Sequence, residues 1–405
     1  MIFLFQSWIL KRLNRYIRRI GSNGTVAAFV VWRLAVGWMT LFLVGTDLFV
    51  LSPLLPALAH HFAVTLSAAG GMVTSFAVLY AVGAPWWGDR ADRFGKRPII
   101  VWGLIGFSLG NALTSVAPSF DVFVGSRMMS GFSTAAVVPS IYALIGDIAP
   151  PQQRGRWLSI VGSGLLMSLW LGAPLGSLVA RWFGWPIVFR GLSGATTLLV
   201  FANWYVWPRE GAMPHVRGTL GRLGIGRSLL PDVAVTGFWA MAVYGFYTYL
   251  GTALQRVDLL SIQGVASAFL IYGLGATVGS LTGGHLADRF GARRLAIVGI
   301  FGLGGLLILL GFLFPFTLGI YPLLFIFAWA AYAFFPAYQS LLAEHYPGRQ
   351  GMAMAWNNAA LYGGIALGSG IGGWVMSRWS FSLLAVLCGI IALLAGLAIW
   401  RREKN

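Results

Sequence analysis

The chain has 405 residues, of which 58% are hydrophobic and only 10% are charged, and its mean hydropathy is +0.77. A water-soluble protein of this length carries charge on about a quarter of its residues, so this composition excludes an ordinary soluble surface. Apolar runs of about 20 residues recur along the whole chain, which is the length that a helix needs to cross a bilayer. The composition therefore predicts a polytopic, all-α membrane protein.

The net charge of +17 does not indicate a nucleic-acid partner. The lysines and arginines fall in short clusters between apolar runs, which is typical of the cytoplasmic loops of membrane proteins. The single cysteine, Cys388, excludes an intramolecular disulfide and a thiol metal cluster. The sequence has no Walker loop, no metal-like histidine spacing and no arguable Ser-His-Asp set, so we expect no cofactor, no metal and no enzymatic activity.

Residues 1–30 form a basic segment ahead of the first apolar run. Leu10, Leu13, Ile17 and Ile20 recur at helical spacing with lysine and arginine on the other faces. This pattern is typical of an amphipathic helix lying on an anionic membrane surface. A basic tail without fixed structure explains the same pattern equally well.

Twelve candidate spans follow, and their approximate ranges are 34–58, 67–87, 98–117, 121–146, 156–181, 185–207, 231–255, 264–286, 294–315, 319–343, 351–376 and 380–400. An even number of spans places both termini on one side of the membrane. That side carries all but five of the 28 lysines and arginines, the exceptions being Arg127, Arg181, Arg190, Arg256 and Arg378. By the positive-inside rule the basic side, with both termini, is predicted to be cytoplasmic.

The chain contains an internal repeat. GDRADRFGKRP at 88–98 is followed by GHLADRFGARR at 284–294, so the shared glycines and aspartates stand 196 residues apart. The same shift relates Gly172 to Gly368. We therefore expect two similar six-helix halves, 31–207 and 231–405, joined by a cytoplasmic linker at 208–230.

The charged loop resembles the signature G-x-L-A-D-R-x-G-R-K of the major facilitator superfamily, and the likeness covers essentially the whole chain from about residue 34. The first copy departs from the signature at Arg90 and the second at Ala292. The resemblance implies the fold of that family: twelve transmembrane helices in two pseudo-symmetric six-helix bundles. It also implies secondary transport, with the twelve-helix drug/proton antiporters as the most similar group.

We interpret the two charged loops as a conformational latch, because exposed ion pairs are individually weak and can break and reform. Asp147, at the predicted cytoplasmic end of the fourth span, is expected to partner Arg93 or Arg97. Glycines in the loops are expected to let the second and eleventh spans approach closely. The alternative is that these charges only enforce topology. The predicted latch residues are Gly88, Asp92, Arg93, Gly95, Arg97, Asp147, Gly284, Asp288, Arg289, Gly291 and Arg293.

Asp47 is the one acid in the middle of a span. A carboxylate at the bilayer centre costs a few kcal/mol, so it must face a cavity or a partner, and desolvation favours its protonated form. At 1.5 Å per residue, Asp47 lies about 16 Å and Arg127 about 10 Å below the predicted outer end, which an arginine side chain can bridge. Arg127 and Gly131 match the family motif R-x-x-x-G, which implies a role in proton coupling. Snorkelling to the outer surface is the alternative for Arg127 and the preferred interpretation for Arg190.

GLLMSLWLGAPLG at 164–176 resembles the glycine- and proline-rich motif of antiporters in the superfamily, although ordinary packing of small residues accounts for it nearly as well. Aromatic and amide side chains in the later spans are candidates for a cavity between the halves. Packing is the alternative for each of them singly. The predicted substrate-binding residues are Tyr80, Tyr244, Tyr247, Tyr338, Asn357 and Asn358.

The sequence thus predicts a proton-coupled exporter of small amphipathic or drug-like molecules that works by alternating access. The alternatives are a proton-linked sugar or metabolite transporter and, from another class, a membrane scaffold or enzyme. The expected partners are a small-molecule substrate, protons and membrane lipids, without nucleic acid. We expect a monomer in the inner (plasma) membrane.

Overall fold

The computed structural model describes residues 24–150, 153–208, 229–256, 260, 262–314, 319–346 and 350–401. Within these ranges every regular element is a helix, and twelve helices are long and apolar enough to cross a membrane. The predicted all-α architecture is confirmed. The basic segment before residue 24 and most of the linker at 208–230 lie outside the described residues, so the expectations for them stay predictions.

The first half contains α1 (Gly24–Phe49, continued as Leu51–His61), α2 (Leu66–Phe94), α3 (Lys96–Ser115), α4 (Phe120–Ile148), α5 (Arg154–Met167, a π-helical turn at Ser168–Gly172, then Ala173–Phe183) and α6 (Trp185–Val206). The second half contains α7 (Leu230–Arg256), α8 (Ile262–Phe290), α9 (Ala292–Leu313), α10 (Ile320–His345), α11 (Gln350–Arg378) and α12 (Phe381–Arg401). All twelve predicted spans are present at the expected places.

The packing repeats between the halves. In the first half α2 and α3 both pack on α4, α3 packs on α6, and α1 packs on α5. Each of these pairs recurs six helices later, as α8 and α9 on α10, α9 on α12, and α7 on α11. The two halves are therefore pseudo-symmetric bundles, as the repeated loop predicts.

Small residues let the helices approach closely, which is the usual way to pack helices in lipid. Gly275, Gly279 and Gly283 of α8 lie against the backbone of α10, where an added Cβ would stand within 2.6 Å of a carbonyl oxygen. The glycine-rich motif in α5 has the same role. Gly164 lies against the Trp38 carbonyl of α1, and Gly172 lies against Thr46. This motif is accounted for by packing.

The π-helical turn in α5 sits just ahead of Pro174. Proline has no backbone N–H, so the carbonyl four residues earlier, at Trp170, loses its ordinary helical donor. A local π turn is one of the adjustments by which a helix accommodates such a gap. It bends α5 where Trp170 meets Gly273 of α8, in the other half of the molecule.

We name the end that carries the loops 88–98 and 284–294 the charged end, and the other end the opposite end. Near the opposite end the two halves touch along three lines: α2 on α11, the second segment of α1 on α7, and α5 on α8. Gly251 lies against the backbone of Ser52 and Pro53, and Gly373 lies against Ser67. The molecule is therefore closed at the opposite end.

Candidate functional site

Asp47 of α1 and Arg127 of α4 form a two-pronged ion pair inside the first half. Arg127 Nη1 donates to Asp47 Oδ1 and Nη2 donates to Asp47 Oδ2, both at 2.7 Å. Both side chains are 0% exposed. Arg127 therefore does not snorkel to the surface, and the predicted partnership of these two residues is present in the structure.

Aromatic rings surround the guanidinium. Its Cζ lies 5.1 Å from the ring centre of Phe76 in α2 and 5.8 Å from that of Phe189 in α6. Gly131, one turn after Arg127, has no room for a Cβ, which would stand 2.1 Å from the Phe76 carbonyl oxygen. The spacing R-x-x-x-G thus places the charge and the closest helix contact on one face of α4.

The pair leaves some buried polar groups without a partner. Arg127 Nε and the hydroxyls of Ser130 and Thr134 on α4 are buried and have no hydrogen-bond partner among the described residues. Unsatisfied polar groups at such depth are costly, and ordered water or a changing partner is the usual explanation. The polarity of this region exceeds what helix packing alone requires.

Helix α1 is interrupted two residues after Asp47, and prolines explain the break. Pro53 has no N–H to offer to the Phe49 carbonyl, which instead accepts a hydrogen bond of 3.1 Å from the Tyr247 hydroxyl of α7. Ser52 Oγ donates a hydrogen bond of 2.5 Å to the backbone carbonyl of Tyr247. The segment that follows the buried acid is therefore tied directly to the second half.

Tyr80 and Tyr362 meet at the boundary between the halves. Their rings stack with centres 3.4 Å apart and planes inclined by 15°. Tyr80 packs in one cluster with Phe76 and Leu48, which are neighbours of Arg127 and of Asp47. A predicted substrate residue thus lies one helical turn along α2 from Phe76, whose ring lies beside Arg127.

A second group of tyrosines lies in the interior of the second half. Tyr244 and Tyr332 have hydroxyls 3.4 Å apart, and the Tyr272 ring packs 5.1 Å from that of Tyr247. A cavity of about 10 Å³ remains beside Tyr244 and Tyr247, which is about the space of one water molecule. In this conformation the predicted residues Tyr244 and Tyr247 pack against the first half and leave no space for a substrate between the halves at this point.

Two other predicted substrate residues are occupied by contacts within the second half. Tyr338 donates at 2.7 Å to the backbone carbonyl of Asp232. Asn357 accepts at 2.5 Å from Thr236, while its buried amide nitrogen has no hydrogen-bond partner among the described residues. Asn358 is half-buried. The structure groups Tyr80, Tyr244 and Tyr247 near the interface and does not bring Tyr338 to them.

Sequence reasoning missed the partners of these residues. Tyr362 lies four residues after Asn358 and so on the same helical face, which was an available signal. Tyr272 and Tyr332 carry no such signal, because their approach to Tyr244 depends on how α8 and α10 rotate against α7.

The charged loops share one backbone geometry. Gly95 (φ 87°) and Gly291 (φ 88°) stand between α2 and α3 and between α8 and α9, in a conformation that L side chains rarely adopt. The loop glycine is therefore required by the backbone at both copies of the repeat.

The ion pairs differ from the expected ones. Asp147 pairs with Lys96 at 2.7 Å, not with Arg93 or Arg97. Arg93 pairs with Asp89 at 2.8 Å on its own helix. Arg97 is buried against α6, where it donates to the Trp204 carbonyl and lies 4.5 Å from its ring centre. The chain reverses at Gly95, and this turn aims Lys96 at α4 and Arg97 away from it.

The second loop borders an open cleft of about 540 Å³ between α8, α9 and α10, lined in part by Asp288, Arg293, Arg294 and Glu344. Asp288 and its counterpart Asp92 are exposed, and neither has an ion pair among those found in the described part of the chain. Arg289 lies 5.4 Å from the ring centre of Phe290.

The expected close approach of α2 and α11 is present, but at the opposite end. A Cβ added to Gly88 or Gly284 would meet nothing within 4 Å, whereas one added to Gly373 of α11 would stand 2.9 Å from the Ser67 Cα of α2. The glycines of the charged loops therefore make no close contact in this conformation. Every described hydrogen bond between the halves joins residues on the opposite-end side of Tyr80 and Tyr362.

Two pseudo-symmetric bundles of membrane-spanning helices, whose described close contacts with each other lie toward one end, have the architecture of a multi-pass membrane transporter. The family model of the Major Facilitator Superfamily matches residues 37–279 and 233–405. The chain belongs to this superfamily, and its relatives and fold are those of transporters, not enzymes.

Individual relatives agree. The chain is 31% identical to an uncharacterized MFS-type transporter, YceJ of Bacillus subtilis, over 85% of this chain and 89% of that protein. It is 26% identical to a chloramphenicol resistance protein of Streptomyces lividans over 63% and 66% of the two chains. The crystal structure of a D-xylose-proton symporter shares the fold with a TM-score of 0.76 and 20% identity, over 92% of this chain and 97% of that one.

Proposed function

We propose that the protein is a proton-coupled exporter of small amphipathic or drug-like molecules. The observation that carries this proposal is the fully buried pair of Asp47 and Arg127, which is linked through Phe76 to the aromatic interface between the halves. A buried ionisable group inside a membrane span is by default a functional group, because its cost is retained only for a purpose.

In the proposed mechanism, a proton and the Arg127 guanidinium compete for the Asp47 carboxylate. A proton arriving from outside neutralises the carboxylate and releases Arg127 from its two-pronged bond. The freed guanidinium moves against Phe76, and Tyr80 on the same face of α2 moves with it, so substrate is released outward. Each proton that crosses a membrane potential contributes about 2.3 kcal/mol per 100 mV.

The orientation follows from charge. With the charged end in the cytoplasm and both termini there, as the positive-inside rule predicts, this conformation is closed to the outside. It is then the state that receives substrate from the cell. The plasma membrane is the compartment that such an exporter serves.

The charged loops form the latch of the other state. In this conformation Gly88 and Gly284 lie free, and Asp92 and Asp288 are exposed, which supports a set of contacts that forms only when the charged ends meet. We expect Asp92, at the charged end of α2, to meet the first turn of α11 in that state, because helix N–H groups attract an acid. The latch therefore closes the cytoplasmic side while the outer side opens.

The chemistry of the interior favours drug-like substrates over sugars. Sugar sites need many amide and acid groups, whereas the described interface is lined mainly by tyrosine, phenylalanine and leucine. The relative named for chloramphenicol resistance supports the same choice. A proton-linked sugar transporter is the second candidate, and it rests on fold likeness alone.

The test is transport by purified protein in vesicles with an imposed pH gradient. The parent should accumulate substrate against its gradient, and Asp47→Asn should lose this driven accumulation while it still exchanges substrate down a concentration gradient. Asp121→Asn, an exposed acid at the start of α4, is the matched control and should behave as the parent. Driven export by Asp47→Asn at the parental rate would refute the coupling role, and absence of any substrate flux through the parent would refute transport of this class.

A further inference from the structure

The stacked pair of Tyr80 and Tyr362 has a geometry that two tyrosines do not ordinarily choose. Aromatic pairs prefer edge-to-face or offset arrangements with ring centres about 4.5–7 Å apart, because the electron-rich faces repel. These rings are nearly parallel with centres 3.4 Å apart. Two electron-rich faces are thus held together by the packing of α2 against α11.

The pair also stands where the interface changes. Toward the opposite end, Thr74 bonds to Ser369 at 2.8 Å, and the halves stay in contact from there on. Toward the charged end, Gly88 has open space around it. The pair therefore lies at the boundary between the hydrogen-bonded part of the interface and the part toward the charged end.

The charges around the pair disfavour ionic ligands. Asp47 is the only acid in the middle of a span among the described residues, and Arg127 already neutralises it with two bonds. A cation at the stack would have no counter-ion, because Asp47 is already paired with Arg127. If Asp47 were protonated, the cation would face the unpaired positive charge of Arg127. Desolvation of an unpaired ion at this depth is costly, so an uncharged ligand is favoured.

We infer that Tyr80 and Tyr362 bind the substrate as a sandwich, and that the substrate class is uncharged molecules with a planar, electron-poor aromatic ring, such as nitrophenyl or quinone compounds. This inference rests on the proposed transport function and deepens it. An electron-poor ring presents positive potential on both faces, so it gives each tyrosine face an attractive contact in place of the direct contact between two electron-rich faces. The rings part by the thickness of one inserted ring, which the separated charged end permits.

Equilibrium binding to the purified protein in detergent, without any gradient, tests the assignment. The probes are chloramphenicol, which is uncharged and carries a nitrophenyl ring, its analogue with amino in place of nitro, and its deacylated cationic base. The quinone menadione is a second uncharged, electron-poor probe. We expect chloramphenicol or menadione to bind, and the amino analogue and the cationic base to bind at least tenfold more weakly than chloramphenicol.

Substitutions of Tyr80 and Tyr362 distinguish a role of the aromatic ring from a role of the hydroxyl group. Tyr80→Ala and Tyr362→Ala should each weaken binding at least tenfold, while Tyr80→Phe and Tyr362→Phe should stay within about threefold. Tyr205→Ala, at a tyrosine of α6 that is 77% exposed, is the control and should bind as the parent. Thermal unfolding of each variant identifies any loss that reflects a failure to fold, and the phenylalanine variants with the ligand series then decide the question.

Three results would overturn the assignment: both alanine variants bind as the parent, the amino analogue or the cationic base binds as well as chloramphenicol, or neither uncharged probe binds. These results are distinct from failure of proton coupling. Asp47→Asn can export at the parental rate while the sandwich binds as expected, and driven export of a cation through Tyr80→Ala would refute only the sandwich.

Discussion

Asp47 and Arg127 illustrate at the scale of single residues how a membrane interior constrains charge. Each side chain is completely buried, and two hydrogen bonds join them. Removing one partner of such a pair leaves an uncompensated charge, which costs about 3–5 kcal/mol, whereas removing both leaves no charge behind. The pair is therefore stable as a unit and costly to break.

This argument predicts a non-additive result. Arg127→Gln should destabilise the protein by about 3–5 kcal/mol, and the double variant Asp47→Asn with Arg127→Gln should be more stable than Arg127→Gln alone. Unfolding of the parent, both single variants and the double variant in detergent completes the cycle. If the effects of the single variants simply add, the two side chains do not depend on each other.

Gly95 and Gly291 yield a second prediction at this scale. Their positive φ is strained for any side chain, so Gly95→Ala and Gly291→Ala should each cost about 1–3 kcal/mol. Gly302→Ala on α9, where an added Cβ meets nothing within 4 Å, should be neutral or slightly stabilising, since alanine favours a helix. Unfolding temperatures in one detergent measure all three, and equal stability of the three variants would contradict the backbone argument.

At the scale of elements, the contact of α1 and α7 depends on groups that proline and glycine lack and other residues have. Pro53 lacks the N–H that would occupy the Phe49 carbonyl, and Gly251 lacks the Cβ that would stand 2.4 Å from the Ser52 carbonyl oxygen. Both absences let two helices from different halves touch by their backbones. The closed end of the molecule is therefore sensitive to a single added methyl group.

Gly251→Ala should shift the protein toward the conformation that is open at the opposite end. The measurement is the reaction rate of a cysteine introduced by Ser67→Cys, in a background where the buried Cys388 is replaced by serine. We expect a severalfold faster reaction. Gly71→Ala is the matched control, because a Cβ there meets nothing within 4 Å. An unchanged rate in Gly251→Ala would show that this contact does not hold the end closed.

At the scale of the whole molecule, the charged loops lie at one end, and the contacts between the halves lie toward the other end. Both copies of the charged loop lie at one end, and every described hydrogen bond between the halves lies on the other side of Tyr80 and Tyr362. A two-bundle protein closed at one end can open that end only if the other end closes or the halves part. This arrangement is compatible with the alternating access that we propose.

The charge distribution predicts which end of the protein faces the cytoplasm. Ala63→Cys, between α1 and α2, should react with a membrane-impermeant thiol reagent in intact cells, whereas Phe94→Cys, at the charged end and 67% exposed, should react only after permeabilisation. The positive-inside rule gives this expectation. The reverse pattern would invert the proposed orientation and with it the direction of transport.

Features that depend on neighbours along the chain can be predicted from the amino-acid sequence alone. Span number and position follow from the length of apolar runs, because a helix must cross a fixed thickness of hydrocarbon. The repeat follows from direct comparison of 88–98 with 284–294. The depth of Asp47 and Arg127 follows from counting helical rise, so their pairing was within reach of the sequence.

Contacts that depend on how helices rotate and how loops turn are visible in the three-dimensional fold and not in the sequence. Lys96, not Arg93 or Arg97, reaches Asp147 because the positive φ of Gly95 aims successive side chains in different directions. Tyr362 meets Tyr80, 282 residues away in sequence, because the two halves face each other across α2 and α11. Hydrophobicity along a chain fixes which segments enter the membrane, but in a uniform apolar solvent it does not fix which faces meet, and close packing makes that choice.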